Sequence, residues 1–140
     1  MGREETYRAC FFLHSGAYDR IHEAFALANV ILARGGEVYM LFTYGALKRL
    51  VKGKTDRIDE CEPTPFKEEF QKHLEKGSIE TVLEMLRMGK RLGRLKILAC
   101  SGAMGLLNIT RDDLIEEVDQ VTGLVAFMDI VKDAKLTLYI

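Results

Sequence analysis

Several residue types and patterns are scarce in this 140-residue sequence, and each shortage excludes a class of protein. There is no tryptophan, there are only two prolines and three cysteines, and the formal net charge is −1. The balanced charge gives no reason to expect nucleic acid or an anionic membrane as the main partner. No apolar run approaches the roughly 20 residues that a membrane span needs. The opening segment MGREETYRAC also lacks a secretory signal pattern, so we expect a cytoplasmic protein.

Cysteine and histidine residues are too scattered for two common kinds of site. Cys10, Cys61 and Cys100 are an odd number, lie far apart and form no CxxC pair, which argues against a disulfide framework. The histidines show no metal-ligand spacing, so we predict no metal site. The glycines match neither GxGxxG nor GxxxxGK[ST], so a nucleotide- or flavin-binding protein of similar topology is poorly supported and we predict no cofactor.

What the sequence does contain is the composition of an ordinary globular domain. Apolar residues make up 48% of the chain and charged residues 29%. A length of 140 residues suits a single domain over 1–140 with one core.

Apolar runs alternate with segments of helical periodicity along the whole chain. The runs predict five strands, at 6–14, 37–43, 95–100, near 118–121 and at 135–140. This alternation predicts an α/β fold, a three-layer α/β/α sandwich with a mostly parallel five-stranded sheet, flavodoxin-like in outline.

The predicted helices have recognisable start and stop signals. Capping residues predict starts at Asp19, Ser78 and Thr122, and Thr64-Pro65 predicts another. The pattern predicts a buried face of the first helix formed by Ile21, Ala24, Phe25, Ala28 and Leu32, and one of the last formed by Leu124, Phe127, Met128 and Val131. Residues 44–51 indicate a short helix, 52–65 an exposed loop, and Thr110–Asp113 a capping box.

Three loops should meet where ligands bind in parallel sheets, beyond the carboxyl ends of the strands. They are HSGAYD after the first strand, TYGAL after the second and CSGAMGLLN after the third. The candidate substrate-binding residues in these loops are His14, Ser15, Gly16, Thr43, Tyr44, Ser101, Gly102 and Met104.

Cys100 is the candidate catalytic residue, because it ends a strand and precedes the small residues Ser101 and Gly102. Such residues let backbone N–H groups point at a thiolate. The alternative is a packing residue that closes a buried strand. Cys10 lies mid-strand and reads as core. Cys61 lies between two glutamates that raise a thiol pKa, although it could act as a resolving thiol if its loop closes over the site.

Two further features leave alternatives open. His14 could deprotonate Cys100 or hold an anionic ligand, or it could be an ordinary loop residue. A basic stripe at helical spacing is either a solvated face or a surface that steers an acidic partner; it comprises Arg87, Lys90, Arg91 and Arg94.

The sequence resembles the DsrE/DsrF-like family of small sulfur-transfer proteins, which includes the TusD-like sulfur-relay subunits, and within it the DsrE-related, peroxiredoxin-like branch. The stretches that carry the resemblance are 13–47 and 98–140. They contain S-G-x-x-D after the first strand, Phe42-Thr43 and a glycine after the second, and a cysteine at the end of the third, followed by a leucine- and glycine-rich segment.

This resemblance implies a five-stranded parallel sheet and a homo-oligomer, often a trimer or hexamer. It implies that Cys100 carries sulfane sulfur as a persulfide or thiosulfonate and passes it to a TusA-like sulfur carrier or a related DsrE-family subunit. Some relatives carry a second cysteine shortly after the first, and this chain has none after Cys100, which favours a one-cysteine carrier. The alternative within the same fold is a non-catalytic oligomeric binding or assembly subunit.

Overall fold

All five strands run parallel in one sheet, as the alternating pattern predicts. The computed structural model describes residues 6–140, and the order of the strands is β4-β3-β2-β1-β5. Their bounds are β1 Arg8–Leu13, β2 Glu37–Phe42, β3 Leu95–Cys100, β4 Gln120–Thr122 and β5 Leu136–Tyr139. The strands β1 to β4 are laid down successively across the sheet and β5 returns to the other side of β1. The layers match the predicted sandwich, whereas the strand order differs from the 2-1-3-4-5 order of flavodoxin.

Within the described residues, six α-helices and one turn of 3-10 helix connect the strands. They are α1 Tyr18–Ala33, α2 Tyr44–Lys48, α3 Lys67–Lys76, α4 Val82–Leu92, α5 Ser101–Leu107 and α6 Leu124–Val131, with the 3-10 turn at Arg111–Asp113. No helix within residues 6–140 combines the length and the apolar character needed to cross a membrane.

One face of the sheet, which we call the α1 face, packs against α1 and α4. Side chains alternate between the two faces of a strand, and register places Phe11, Met40 and Ile97 in one row. Phe42 in the same set lies 6.1 Å from Phe25 of α1, measured between ring centroids. All five residues of the predicted α1 stripe are buried, so that prediction is confirmed.

The opposite face, which we call the α6 face, is covered more thinly. Phe12 packs edge-on against Phe127 of α6 at 4.9 Å. Leu98 belongs to this face by register, and Cys100, two residues further along β3, belongs to it as well. Lys96, two residues before Leu98 on the same face of β3, is exposed.

The starts of two helices differ from the prediction. Ala17, not Asp19, occupies the N-cap position of α1, and Asp19 lies inside the first turn. Thr81, not Ser78, caps α4, by accepting a hydrogen bond from the Glu84 N–H at 3.0 Å. Ser78 is instead hydrogen-bonded to the side chain of His73. In α1 no side chain caps the helix at Ala17. In α4 two residues that are able to cap, Ser78 and Thr81, precede the apolar stripe, and the pattern alone does not choose between them.

The starts of two more helices are also displaced. The helix predicted from Pro65 begins at Lys67, after Phe66 in a left-handed conformation with φ of 60°. The last helix follows Gly123 at the N-cap position, not Thr122. Of its predicted buried face only Phe127 is fully buried, while Leu124 and Met128 are 57% and 53% exposed. An apolar stripe therefore exists on α6, but the sheet covers only part of it.

The glycine-rich segment after β3 forms a helix, although the sequence predicts a loop. Helix α5 runs over Ser101–Leu107 and ends at Asn108, whose φ of 54° is left-handed. A Cβ added at Gly102 or Gly105 would meet nothing within 4 Å, so neither glycine is required by close packing. Glycine lowers helix propensity by about 1 kcal/mol per residue relative to alanine, and two glycines conceal this helix from pattern reasoning. The predicted capping box at Thr110 and Asp113, by contrast, is confirmed.

Candidate functional site

The loops after β1 and β2 meet at the carboxyl edge of the sheet and are hydrogen-bonded to each other. The Thr43 N–H donates to the Leu13 carbonyl at 2.9 Å, and the Ala46 N–H donates to the His14 carbonyl at 3.2 Å. Because the strands are parallel, their carboxyl ends lie at the same edge of the sheet. The structure thus brings the predicted loops to a common edge.

Cys100 lies at this edge as the last residue of β3 and the N-cap position of α5. It retains 7% of its surface, whereas Cys10 in the middle of β1 retains none. Register pairs Cys100 with Thr122 of β4. The next two residues, Ser101 and Gly102, are exposed and form the first turn of α5, where N–H groups have no partner within the helix.

Thr43 and Tyr44 follow β2, the strand next to the one that Cys100 ends. Phe42 is paired with Ala99, so Thr43 follows β2 at the level where Cys100 ends β3. Thr43 is buried, and Tyr44 begins α2 with a left-handed φ of 46° and a 48% exposed side chain. Helix α2 packs against α5, which begins directly after Cys100. Both helices therefore begin at the same edge of the sheet, α5 directly after Cys100 and α2 after the neighbouring strand.

His14 is exposed and lies one strand further from Cys100. Its ring lies 4.9 Å from the ring of Tyr44 and 6.0 Å from that of Tyr139 on β5. Its backbone N–H donates to the Ile140 carbonyl at 2.6 Å. Tyr139 is an edge residue that sequence reasoning missed. The alternation of β5 carries a signal for it, because a tyrosine at the carboxyl end of a predicted strand must lie at the same edge as the loops.

Gly16 and Cys61 pack closely at the start of α1. A Cβ added at Gly16 would lie 2.5 Å from the Gly45 carbonyl oxygen and 2.6 Å from the Cys61 Cβ, so only glycine fits. Burial is the main cause that raises the pKa of the Cys61 thiol. Arg49 and Lys48 lower this pKa, and Glu60 and Glu62 raise it. The predicted direction is right, but burial is the larger cause. The raised pKa makes Cys61 a weak nucleophile.

Ser15 uses its hydroxyl within the protein. That hydroxyl donates a short hydrogen bond to the Glu62 carboxylate, which also accepts from the Ala17 N–H at 2.7 Å. The bond from Ser15 is the main reason that the pKa of Glu62 lies below its usual value, and the backbone N–H groups add to it. A carboxylate of the chain thus occupies the N-terminus of α1, where anions bind favourably.

Arg49 is a second residue that sequence reasoning missed. It is fully buried and its guanidinium donates only to backbone carbonyls. Its Nε donates to Gly16 at 2.8 Å and its Nη2 to Ile58 at 2.8 Å, and Nη1 reaches carbonyls of the segment 54–57. The guanidinium also lies over the Tyr18 ring, 5.3 Å from its centroid.

The segment 52–65, predicted as an exposed loop, is fastened to the helices next to the site. The Tyr18 N–H donates to the Thr64 hydroxyl at 3.0 Å, and the Tyr18 hydroxyl donates to Asp56 at 2.5 Å. Asp56 also accepts from the Val82 N–H at 2.8 Å and so caps α4. Burial, and then the bond to Asp56, raises the pKa of Tyr18.

Met104 is buried in α5 and packs with the core, whereas Leu106 two residues later is 64% exposed.

Two members of the basic stripe form ion pairs within the chain, on helix α4. Arg87 pairs with Glu117 at 2.8 Å, and Lys90 pairs with Asp119. These pairs attach the β3–β4 connection to α4. Two of the four residues of the basic stripe therefore have acidic partners within the chain itself.

A polar cavity of about 540 Å³ lies at the amino edge of the sheet, lined by Arg8, Glu37, Lys132 and Asp133 among others. It holds none of the candidate residues, and charged walls without an apolar interior are unlike a typical small-molecule site. We place the candidate site at the carboxyl edge because the candidate nucleophile Cys100 and the aromatic residues His14, Tyr44 and Tyr139 lie there. Among residues 6–140, no group of three or more His, Cys, Asp and Glu side chains is arranged to hold a metal ion.

Comparisons with known proteins support the fold and give no information about the chemistry. No family model matches the chain. It is 24% identical over 164 aligned residues to the uncharacterized protein YrkE of Bacillus subtilis strain 168, covering 98% of this chain and 99% of that protein. The structure of MTH1491 from Methanobacterium thermoautotrophicum, a protein of unknown function, superposes with a TM-score of 0.61 at 12% identity, over 96% of this chain and 99% of that one. The carboxyl-edge geometry therefore belongs to a fold shared with MTH1491.

Proposed function

We propose that the protein is a small sulfur carrier or sulfurtransferase that holds sulfane sulfur on Cys100 and passes it to a partner protein. The observation that carries this proposal is the position of Cys100 at the carboxyl end of a parallel strand, directly before the first turn of α5. Cys10 is enclosed within β1, and Cys61 is packed against Gly16 with a raised thiol pKa. Cys100 is thus the better nucleophile of the three by position.

The chemistry needs no external oxidant or reductant. The Cys100 thiolate attacks the terminal sulfur of a persulfide donor RS–SH, a new S–S bond forms, the donor S–S bond breaks, and RS⁻ leaves. An acceptor thiolate then attacks the terminal sulfur of the Cys100 persulfide, takes it, and releases the Cys100 thiolate. The low exposure of Cys100 suits this role, because a shielded persulfide is protected from other thiols.

The resemblance to the DsrE/DsrF-like family supports the choice of cargo and of partners. On that basis we propose a TusA-like sulfur carrier or a related DsrE-family subunit as acceptor and a cytoplasmic homo-oligomer, a trimer or hexamer, as the working form. The exposed first-turn residues of α5, Ser101 and Gly102, leave a way for an acceptor to approach the thiol.

The test is to incubate the reduced protein with inorganic polysulfide and to measure the mass of the peptide that contains Cys100. We expect the mass of one sulfur atom to be added to Cys100, removed by dithiothreitol, and lost in Cys100→Ser. Cys61→Ser and Cys10→Ser are the matched controls and should retain the added sulfur. Equal addition of sulfur to Cys100→Ser protein would refute the proposal.

A second candidate, a non-catalytic assembly subunit, is favoured by the apolar surface of α6. Val125 is 85% exposed, and Leu124 and Met128 of the same helix are more than half exposed. Exposed apolar patches of this kind mark contact surfaces. If a Val125→Lys variant loses its oligomeric state in light scattering while wild-type Cys100 takes up no sulfur, the assembly role is the better description.

A further inference from the structure

Three exposed arginines without acidic partners lie at the amino edge of the sheet, opposite to the edge that holds Cys100. Arg34 follows α1, Arg91 lies in the last turn of α4 and Arg94 precedes β3. Within residues 6–140, the guanidinium groups of Arg34 and Arg91 form no hydrogen bond or ion pair, and that of Arg94 donates only to the Gly35 carbonyl, at 3.4 Å. We call these three residues the arginine group.

The packing of α1 against α4 brings the arginine group together. A Cβ added at Gly89 of α4 would lie 2.7 Å from the Oδ1 of Asn29 of α1, so the two helices approach closely near their C-terminal ends. The Nδ2 of Asn29 also donates to the Met85 carbonyl at 3.0 Å. Both helices end at the amino edge, because the strands that follow them, β2 and β3, are parallel neighbours. The bond from Arg94 to Gly35 joins the two helix ends.

Helix stability accounts for only part of this charge. A cation near a helix C-terminus interacts favourably with the helix dipole, which gives a reason for Arg34 and Arg91. Helix α4, however, already has Lys90 in its last turn, paired with Asp119, and Arg94 lies beyond the end of the helix. Like charges held near one another repel, and an anion bound between them removes that repulsion. The arginine group is therefore suited to an anionic partner.

An apolar cavity of about 470 Å³ adjoins the arginine group. It is lined by Tyr7, Val30, Ile31, Arg34 and Gly36, so Arg34 belongs both to the cavity wall and to the arginine group. Val30 is 55% exposed and Tyr7 is 46% exposed. None of the lining residues supplies a buried polar side chain, whereas small-molecule sites usually orient their ligand with such groups. An apolar cavity with several cations beyond its rim fits a longer chain that carries several anionic groups.

We propose that this amino-edge surface binds an acidic segment of a partner protein, which places an apolar side chain in the cavity and carboxylates against the arginine group. Guanidinium groups bind carboxylates through two parallel hydrogen bonds, and arginine is enriched in protein interfaces. An apolar anchor within a polar rim is the usual arrangement at such contacts. The proposal does not depend on sulfur transfer, because Cys100 lies at the opposite edge and stays free.

The charge is tested by fluorescence anisotropy of the full-length protein with a fluorescein-labelled peptide in which leucine alternates with pairs of glutamate. We expect binding that weakens as salt is added and that falls about tenfold or more when glutamine replaces glutamate in the peptide. Arg34→Gln and Arg94→Gln should each weaken binding about threefold, the size expected of an exposed ion pair. Lys72→Gln is the matched control and should bind as the wild type does. Lys72 is exposed on α3, which packs against Tyr18 at the other end of α1.

The apolar anchor is tested with the same peptide and with one in which serine replaces leucine. Val30→Ser should weaken binding of the leucine peptide about threefold and leave binding of the serine peptide unchanged. Val125→Ser is the matched control, because Val125 is 85% exposed on α6. Thermal unfolding of each variant should match that of the wild type, and the comparison of peptides on the wild-type protein needs no substitution at all.

Three results would overturn the proposal. The first is wild-type protein that binds the glutamine peptide as tightly as the glutamate peptide, or binds neither. The second is tighter binding of a single-stranded oligothymidylate than of the glutamate peptide, which would make the arginine group a site for nucleic acid. The third is self-association in light scattering that Arg34→Gln and Arg94→Gln abolish, which would assign the surface to a second copy of this chain.

Discussion

The Nε of Arg49 lies 2.8 Å from the carbonyl oxygen of Gly16, and this bond joins a buried cation to the loop that follows β1. The rest of the guanidinium donates to carbonyls between 54 and 58, so a single side chain holds two loops against each other. A guanidinium presents five donors in a rigid fork, which suits several carbonyls that converge from different directions. Arg49 is therefore one structural link between the polar segment 52–65 and the loop after β1, beside the bonds of Glu62 and Thr64.

Replacing Arg49 by methionine should destabilise the protein by about 3–5 kcal/mol, because the carbonyls it binds are left buried without donors. Arg49→Lys should recover only part of this loss, since an ammonium cannot reach all of them. Urea unfolding followed by circular dichroism measures both variants. A loss in Arg49→Met no larger than that of an ordinary surface substitution would contradict the structural role.

Gly16→Ala should destabilise the fold by about 1–3 kcal/mol, the usual cost of forcing an extra methyl group into a packed region. The added Cβ would approach the Gly45 carbonyl oxygen to 2.5 Å and the Cys61 Cβ to 2.6 Å. Gly102→Ala is the matched control, because nothing lies within 4 Å of its added Cβ. Gly102 lies within α5, so this variant should be neutral or stabilising by up to about 1 kcal/mol. Equal midpoints for the two variants in urea would show that the close approach at Gly16 is absent.

Glu62 should make the stability of the protein sensitive to acid. Its pKa in the folded protein is held below the ordinary 4.5, chiefly by the hydroxyl of Ser15. Its contribution to folding is therefore complete above the unfolded pKa and is lost as the pH falls through the folded pKa. Glu62→Gln should lose about 1 kcal/mol at neutral pH and show a flatter decline below pH 4.5.

Ser15→Ala tests the same pair from the other side. Removing the hydroxyl removes the main cause of the lowered pKa of Glu62, so the loss of stability that Glu62 contributes in acid should be smaller and should end at a higher pH than in the wild type. Free energies of unfolding measured across the acid range report both variants. An unchanged pH profile in Glu62→Gln would show that this carboxylate contributes nothing.

Cys10 should resist alkylation in the folded protein. Burial raises its pKa to about 11, and none of its surface is exposed. Iodoacetamide at about pH 8 should leave Cys10 unlabelled and modify it only after urea is added, because the thiolate is scarce and enclosed. Mass spectrometry of the peptide that contains Cys10 gives the result, and labelling at the rate of a free thiol would contradict the enclosed position.

Much of the scaffold follows from local pattern. The stripe from Ile21 to Leu32 is buried as predicted, because helical periodicity and a glycine stop at 35–36 agree with each other. Helix α5 was not predicted because Gly102 and Gly105 weaken the helical signal of the sequence. Neither glycine is required there by close packing. The predicted caps at Asp19, Ser78 and Thr122 were wrong, since neighbouring residues compete for each helix start.

The candidate site likewise has some features that the sequence predicts and others that it does not. The placement of Cys100 at a strand end, and of His14 and Thr43 after neighbouring strands, was predictable because parallel strands share a carboxyl edge. The burial of Arg49 was not predictable, because an arginine at the end of a short helix is ordinarily expected to be solvent-exposed. Its burial depends on carbonyls from 16 and from 54–58, which are far apart in sequence.

The sequence by itself determined the parallel sheet, the order of its elements and the edge at which the thiol lies, because these depend on periodicity and chain direction. Only the tertiary structure decided how the loops beside that edge are packed: the left-handed Tyr44, its contact with His14, the bond from Ser15 to Glu62 and the buried Arg49. Each of these depends on distances between segments that are remote in the chain, and local propensity carries no record of such distances.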